Sequence, residues 1–144
     1  MAIVDIPLRR FASRIALGAV IGFGTLTAGL PMARAADAIS FSSGSPWSQT
    51  IGKVSKDSDF HEYTVAAVAG KTLQINLISR NPNLFFRVLA ADSHKPLVDT
   101  ASSGESTWST RPASDETYTV RVYEDPDTVS GNEVTKYALQ VGVF

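Results

Sequence analysis

Residues 71–79 read KTLQINLIS, the clearest alternation of apolar and polar side chains in this chain. Leu73, Ile75 and Leu77 point to one side of an extended strand, and the residues between them point to the other. The same alternation recurs in residues 62–67, 118–123 and 137–143. This pattern is typical of antiparallel strands that have one buried face and one solvated face.

Less regular segments complete a set of seven or eight strands. Residues 84–91 are apolar on both faces apart from Arg87, which favours a central strand. Residues 47–54, 96–100 and 106–110 are candidate short strands, and turn signals separate them. The sequence therefore predicts an all-β protein, an antiparallel, jelly-roll-like β-sandwich.

The alternation also assigns the core and one turn. Gly70 is expected to take a positive φ in a tight hairpin joining the strands that hold Val65 and Leu73. The inward positions should form a single core between the two sheets. They are Tyr63, Val65, Leu73, Ile75, Leu77, Phe86, Val88, Tyr118, Val120, Val122, Leu139 and Val141.

The N-terminal segment has the features of an export signal. Three arginines precede residues 15–33, which carry no charge and are rich in Ala, Gly, Leu and Ile. This stretch runs into a small-x-small pattern at Ala33 and Ala35, so we expect residues 1–35 to be a signal peptide cleaved after Ala35. A membrane anchor is the alternative, since 19 uncharged residues nearly span a bilayer. Cleavage predicts a periplasmic or secreted protein.

The mature chain would consist of a flexible lead, residues 36–46, and a sandwich domain, residues 47–144. The whole chain holds 13 Lys and Arg against 14 Asp and Glu. Four of those arginines and one aspartate lie in the signal peptide, so the mature protein has a formal net charge of −4. An acidic chain without a basic cluster lacks the footprint of nucleic-acid or anionic-membrane binding, and we expect neither partner.

Residues suited to catalysis are few. The absence of cysteine excludes disulfides, Cys-ligated zinc and iron–sulfur clusters. His61 and His94 have no partner nearby in sequence, and neither a nucleophile elbow nor a phosphate-binding loop occurs. The sequence therefore predicts a protein that is not an enzyme.

An acidic loop, Glu124–Glu133, is the one candidate ion site. The segments Glu124–Asp127 and Gly131–Glu133 could supply oxygen ligands to Ca²⁺, but the spacing of a calcium loop fails at Val129. A long solvated hairpin loop accounts for the same residues. No other cofactor is expected.

Several motifs occur in the order found in a known domain. They are Asp59–Val65, Ala69–Ile75, Arg111–Ser114 leading into Tyr118–Val122, and Lys136–Leu139. The chain resembles the bacterial pre-peptidase C-terminal domain, a secreted β-sandwich. It is more closely similar, over residues 50–143, to the periplasmic inhibitors of g-type lysozyme, which share that sandwich. Because these motifs are mostly structural, the resemblance bears on fold more than on activity.

The resemblance implies a periplasmic inhibitor that inserts a loop into the substrate cleft of a lysozyme. Ser114 matches the serine of the family's Ser-Gly turn, and Arg121 matches the arginine of its Tyr-x-x-Arg-Val strand. Two departures stand out: Asp115-Glu116-Thr117 replaces the short turn, and acidic residues follow the strand where the inhibitors carry arginines. The residues expected to bind a protein partner are Ser114, Asp115, Arg121, Tyr123, Asp125 and Asp127.

The alternative function is a non-catalytic binding module for a cell-envelope glycan or protein. Exposed aromatic side chains would carry such binding, and Trp47, Trp108 and Tyr123 are the candidates. Trp108 is also typical of a core or edge-strand position. Tyr123 lies two residues after Arg121 on the same strand, so its side chain should face outward on the same side. The sequence leaves the target and the oligomeric state open.

Overall fold

Nine β-strands and one short helix make up the part of the chain that the computed structural model describes, residues 35–55, 60–128 and 133–144. The strands are β1 Asp37–Ala38, β2 Trp47–Ser55, β3 Phe60–Ala67, β4 Leu73–Ser79, β5 Leu84–Ala90, β6 Val98–Asp99, β7 Thr107–Thr110, β8 Glu116–Glu124 and β9 Val134–Val143. The helix, α1, is Thr100–Ser103.

These strands form two sheets. Sheet A has five strands in the order β1-β3-β8-β5-β6, and sheet B has four in the order β2-β9-β4-β7. Every pair is antiparallel except β1 with β3. The apolar faces of the sheets enclose one core, so the predicted antiparallel β-sandwich is confirmed.

The core follows the sequence pattern closely. All twelve predicted core residues are buried, and Val54, Ala67, Leu84 and Tyr137 join them. The hydroxyl oxygens of Tyr63 and Tyr137 lie 2.8 Å apart inside this core. Trp108 is partly buried against the core and meets the ring of Tyr118 edge-on. Trp108 therefore contributes to packing, as a core or edge-strand position implies.

The connection at Gly70 differs from the prediction. Gly70 has a positive φ of 72°, as expected, but β3 lies in sheet A and β4 in sheet B, so the predicted hairpin is wrong. The turn is an arch that carries the chain from one sheet to the other. A local turn signal fixes a backbone bend, whereas the burial of Val65 and Leu73 on facing layers decides which sheet each strand joins. The Glu124–Glu133 connection links β8 of sheet A to β9 of sheet B and is likewise not a hairpin.

The segment predicted as a lead, residues 36–46, contributes to the sandwich. Asp37 and Ala38 form β1 alongside β3, and Ile39 and Phe41 pack against the core. Residues 1–34, which include nearly all of the predicted signal peptide, lie outside the described residues. No helix in the described part of the chain is both long and apolar enough to cross a membrane.

Strand β5 has a neighbour on each side, as a central strand should, but β6 covers only two of its residues. The candidate strand at 96–100 ends early because Asp99 caps α1, accepting a hydrogen bond from the backbone N–H of Ala101 at 3.2 Å. The buried side chain of Thr100 then continues the pairing of β5. Its Oγ1 accepts from the Phe86 N–H at 2.9 Å and donates to the Phe86 carbonyl at 3.2 Å.

Candidate functional site

The six predicted partner-binding residues lie along β8 and do not form one cluster. Ser114 and Asp115 precede the strand, Arg121 and Tyr123 lie within it, and Asp125 and Asp127 follow it. At about 3.3 Å per residue, a nine-residue strand separates its two ends by roughly 27 Å. The predicted site therefore divides into three separate regions.

The first region is a pair of exposed turns, residues 68–72 and 111–115, which we call the paired turns. Both carry the chain between the two sheets at the same end of the sandwich, and hydrogen bonds join them. Gly70 N donates to the Pro112 carbonyl at 2.9 Å, and Arg111 Nε donates to the Gly70 carbonyl at 2.7 Å. The exposed Asp115 carboxylate accepts from Ala69 N at 2.8 Å. The turns thus support each other in one conformation.

Ser114 and the acidic residues after it form a second set of contacts within the paired turns. The Ser114 hydroxyl donates to Glu116 at 3.3 Å, and the Tyr118 hydroxyl donates to the other carboxylate oxygen of Glu116 at 2.5 Å. Burial, together with the bond to Glu116, raises the pKa of Tyr118 to about 12. The carboxylates of Asp115 and Glu116 therefore both help to hold the turn in place.

The second region is the outer face of sheet A, where Arg121 lies. Its guanidinium donates from Nε and Nη2 to one oxygen of Glu62, at 2.9 and 2.6 Å. The same guanidinium lies 4.4 Å from the ring centroid of Phe60. Arg121 is thus paired and stacked within its own sheet. At about 3.3 Å per residue, it lies about 16 Å along β8 from Glu116.

Tyr123 faces outward as predicted, but it is half-buried and held by partners. Its hydroxyl donates to Asp99, and the guanidinium of Arg87 lies 4.5 Å from its ring centroid. Arg87 Nε in turn donates to the other oxygen of Asp99 at 2.5 Å. Burial, together with the bond to Asp99, raises the pKa of Tyr123 to about 12. Burial alone would raise the pKa of Asp99, but the bonds from Tyr123 and Arg87 outweigh it and lower that pKa.

The strand register arranges this outer face in rows. One row is aromatic, and the next carries two ion pairs whose arginines are neighbours, each pair formed within the sheet. The aromatic row is Phe60, Tyr123 and Phe85, and the charged row is Glu62, Arg121, Arg87 and Asp99. Because each arginine already has its carboxylate, this face braces four neighbouring strands and presents little unpaired charge.

The third region is the turn after β8. Asp125 Oδ1 accepts from Asp127 N at 3.0 Å, and Asp125 N donates to the Asn83 carbonyl at 3.1 Å. Glu124 accepts from Asn81 Nδ2 at 2.6 Å and from the Thr135 hydroxyl at 3.2 Å. Within the described ranges no three His, Asp or Glu side chains lie together as metal ligands would. Part of the predicted calcium loop, residues 129–132, lies outside those ranges.

The two histidines lie in different environments. His61 stacks on Tyr63 with ring centroids 4.6 Å apart, and its Nε2 lies 2.7 Å from the Asp37 carboxylate. His94 lies in an exposed turn.

A concave surface of about 1060 Å³ opens beside the third region, and Arg80, Glu124 and Lys136 are among its lining residues. The Glu124 carboxylate there is already bound by Asn81 and Thr135.

Sequence reasoning named Trp47 as a candidate but missed the polar surface around it, the outer face of sheet B. Trp47 is 43% exposed there, and its ring lies over Gly142. Beside it, polar side chains from four strands form a continuous line of hydrogen bonds. The only sequence signal for this line was the set of polar positions in the alternation, which any solvated face would also show.

Alkaline titration tests the hydrogen bonds that Tyr118 donates to Glu116 and Tyr123 donates to Asp99. Tyr118 and Tyr123 should remain protonated up to about pH 12, whereas an unfolded tyrosine ionises near pH 10. A pKa raised on folding stabilises the native state fully below pH 10, and this stabilisation is lost as the pH rises from about 10 to 12. We expect urea midpoints to fall over that interval. The fall should be smaller in a variant carrying both Tyr118→Phe and Tyr123→Phe; an equal fall would contradict the assigned contacts.

The layers, sheet order and strand pairing define the class of protein: a small antiparallel β-sandwich. The solved pre-peptidase C-terminal domain of collagenase from Bacillus anthracis is similar, with a TM-score of 0.52 and 16% identity over 75% of this chain and 97% of that one. This fold likeness confirms the fold group that the sequence motifs indicated.

Two periplasmic inhibitors of g-type lysozyme are also similar in structure. PliG from Aeromonas hydrophila has a TM-score of 0.61 and 17% identity, covering 76% of this chain and 96% of that one. PliG from Salmonella Typhimurium has a TM-score of 0.56 and 14% identity, covering 74% of this chain and 96% of that one. No protein-family model and no curated protein sequence matches the chain. At these identities the likeness establishes the fold.

Proposed function

We propose that this chain is an exported, non-enzymatic protein that inhibits a g-type lysozyme by placing the paired turns in its substrate cleft. One observation carries the proposal: an exposed, internally bonded pair of turns bearing Ser114 projects from a sandwich with the fold of solved g-type lysozyme inhibitors. The N-terminal segment supports export to the periplasm, the compartment of those inhibitors.

The contacts of the paired turns suit insertion into a cleft. A loop that must be ordered on binding costs affinity, whereas a loop already held in its bound shape does not. The bonds of Gly70 to Pro112, Arg111 to Gly70 and Asp115 to Ala69 hold this loop before any partner arrives. The net charge of −4 on the mature chain would also steer it towards a basic enzyme.

Arg121, Tyr123, Asp125 and Asp127 have a smaller part in this proposal. Arg121 and Tyr123 are committed to contacts inside sheet A, and the two aspartates lie at the far end of β8. We therefore place the contact surface on Ser114, Asp115 and the adjoining residues of the 68–72 turn. The other four residues would support the fold or lie outside the interface.

The proposal is tested by lysis of a peptidoglycan suspension with g-type or c-type lysozyme, with and without the mature protein, residues 36–144. We expect inhibition of the g-type enzyme, and an enzyme–inhibitor complex by gel filtration when peptidoglycan is absent. Ser114→Arg should raise the half-inhibitory concentration at least about tenfold, because a bulky charge at the centre of an interface obstructs docking.

Ser102→Arg is the matched control, since it makes the same change at an exposed position of α1. It should leave both inhibition and the melting temperature unchanged. Absence of any effect on the g-type lysozyme at micromolar excess would overturn the proposed function. Equal potency of the two arginine variants would remove the paired turns from the interface.

A further inference from the structure

Four polar side chains form a line across the outer face of sheet B, and we call them the amide row. The Thr107 hydroxyl donates to Asn76 Oδ1 at 3.0 Å, and Asn76 Nδ2 donates to Gln140 Oε1 at 3.2 Å. Gln140 Nε2 then donates to Gln49 Oε1 at 2.9 Å. The register places these four residues opposite one another on β7, β4, β9 and β2. The row spans about 14 Å, at about 4.8 Å between strands.

The amide row keeps hydrogen-bonding capacity for a ligand. A primary amide has two N–H donors and two acceptor lone pairs, and each central amide spends one of each on its neighbours. All the bonds run in the same direction, so both hydrogens of Gln49 Nε2 remain outside the row. The row fixes the orientation of every amide and leaves alternating donors and acceptors on the surface.

Trp47 lies at one side of the amide row. A Cβ atom on Gly142 would come within 2.7 to 2.8 Å of three ring atoms of Trp47, so the indole rests directly on the backbone of β9. The ring of Phe144 lies 5.5 Å away and supports it. Trp47, Ser48, Gln49 and Gln140 together line a recess of about 280 Å³. The indole is therefore fixed in place beside the row while remaining 43% exposed.

The charge of this face selects the kind of ligand. The paired rows that contain Trp47, Gln49 and Ile51 hold no charged side chain, and charge appears only in the following row, at Lys53 and Lys136. An aromatic ring beside fixed amides can contact the apolar face of a sugar ring and its hydroxyl groups at once. An uncharged surface gives no attraction to phosphate or to other ionised ligands.

We propose that the outer face of sheet B binds a neutral oligosaccharide. Trp47 stacks on one sugar ring, and Gln49, Gln140 and Asn76 bond the hydroxyl or acetamido groups of the rings that follow. Binding at this face does not depend on the proposed lysozyme inhibition, which we assign to the paired turns.

The experiment uses mature protein carrying Trp108→Phe, which leaves Trp47 as its sole tryptophan. The trimers of N-acetylglucosamine and of glucose are titrated while the fluorescence is followed. We expect a saturable change with at least one trimer. In the same background, Gln140→Leu should weaken binding at least about tenfold, because it removes two links of the amide row at nearly constant volume. Trp47→Ala should abolish binding. Because this variant lacks the reporting tryptophan, its binding is measured by calorimetry.

Two further variants keep the test decisive. Gln49→Leu changes the exposed end of the row on β2. It replaces Gln140→Leu in the test if Gln140→Leu lowers the melting temperature. Thr119→Val alters the outer face of sheet A and should leave binding unchanged. Absence of saturable binding of either trimer at millimolar concentration would overturn the proposal, as would full affinity in both glutamine variants.

Discussion

Replacement of Gly52 by alanine is expected to lower the free energy of unfolding by about 3 kcal/mol, the upper part of the usual range for an overpacked core. Gly52 lies on the inner face of β2, opposite Tyr137. An added Cβ would lie 2.3 Å from Cζ and from the hydroxyl oxygen of Tyr137, and 2.6 Å from the hydroxyl oxygen of Tyr63. Both rings are almost fully buried, so neither can move aside without displacing the core around it.

Urea unfolding of the mature protein measures this effect, and Ile51→Ala is the control on the same strand. Ile51 is 70% exposed on the opposite face, so its truncation should change the free energy of unfolding by less than about 1 kcal/mol. Tyr137→Leu removes the ring atoms that the new methyl meets. The cost of Gly52→Ala should therefore be smaller in that background, a non-additivity that identifies the contact. A Gly52→Ala protein as stable as the original would show that the core has room for the methyl.

The strands and the core could be predicted because alternation is a local property. The alternate positions of Leu73, Ile75 and Leu77 in the sequence are enough to assign their side chains to the interior. The partner sheet of a strand depends on contacts distant in sequence, which is why Gly70 indicated the right backbone conformation and the wrong connection. Gly52 gave no signal at all, since its role arises only when two tyrosines from other strands meet over it.

The candidate site could be predicted less well for the same reason. Ser114 and Asp127 are close in number, but a full strand lies between them. The outward parity of Tyr123 was correct, yet its partners Asp99 and Arg87 come from strands whose register the sequence does not reveal. The amide row likewise exists only through the order β2-β9-β4-β7, which joins residues that are up to 91 positions apart.

Thr100→Val is expected to lower the free energy of unfolding by roughly 2 to 6 kcal/mol, although the two side chains have the same shape. Thr100 is 1% exposed, and its hydroxyl serves both the N–H and the carbonyl of Phe86. Strand β6 ends at Asp99, so no backbone group of that strand replaces the hydroxyl. Valine would leave two buried backbone groups unpaired, each at a cost of about 1 to 3 kcal/mol.

Thr100→Ser separates this role from simple burial. Serine keeps the hydroxyl and loses one methyl group, which should cost only about 1 kcal/mol. If the hydroxyl completes the pairing of β5, the stability order is threonine, then serine, then valine. If Thr100 acts only by filling space, valine equals or exceeds threonine and serine is the least stable. Urea unfolding of the three proteins decides between these orders, because the two explanations place valine at opposite ends.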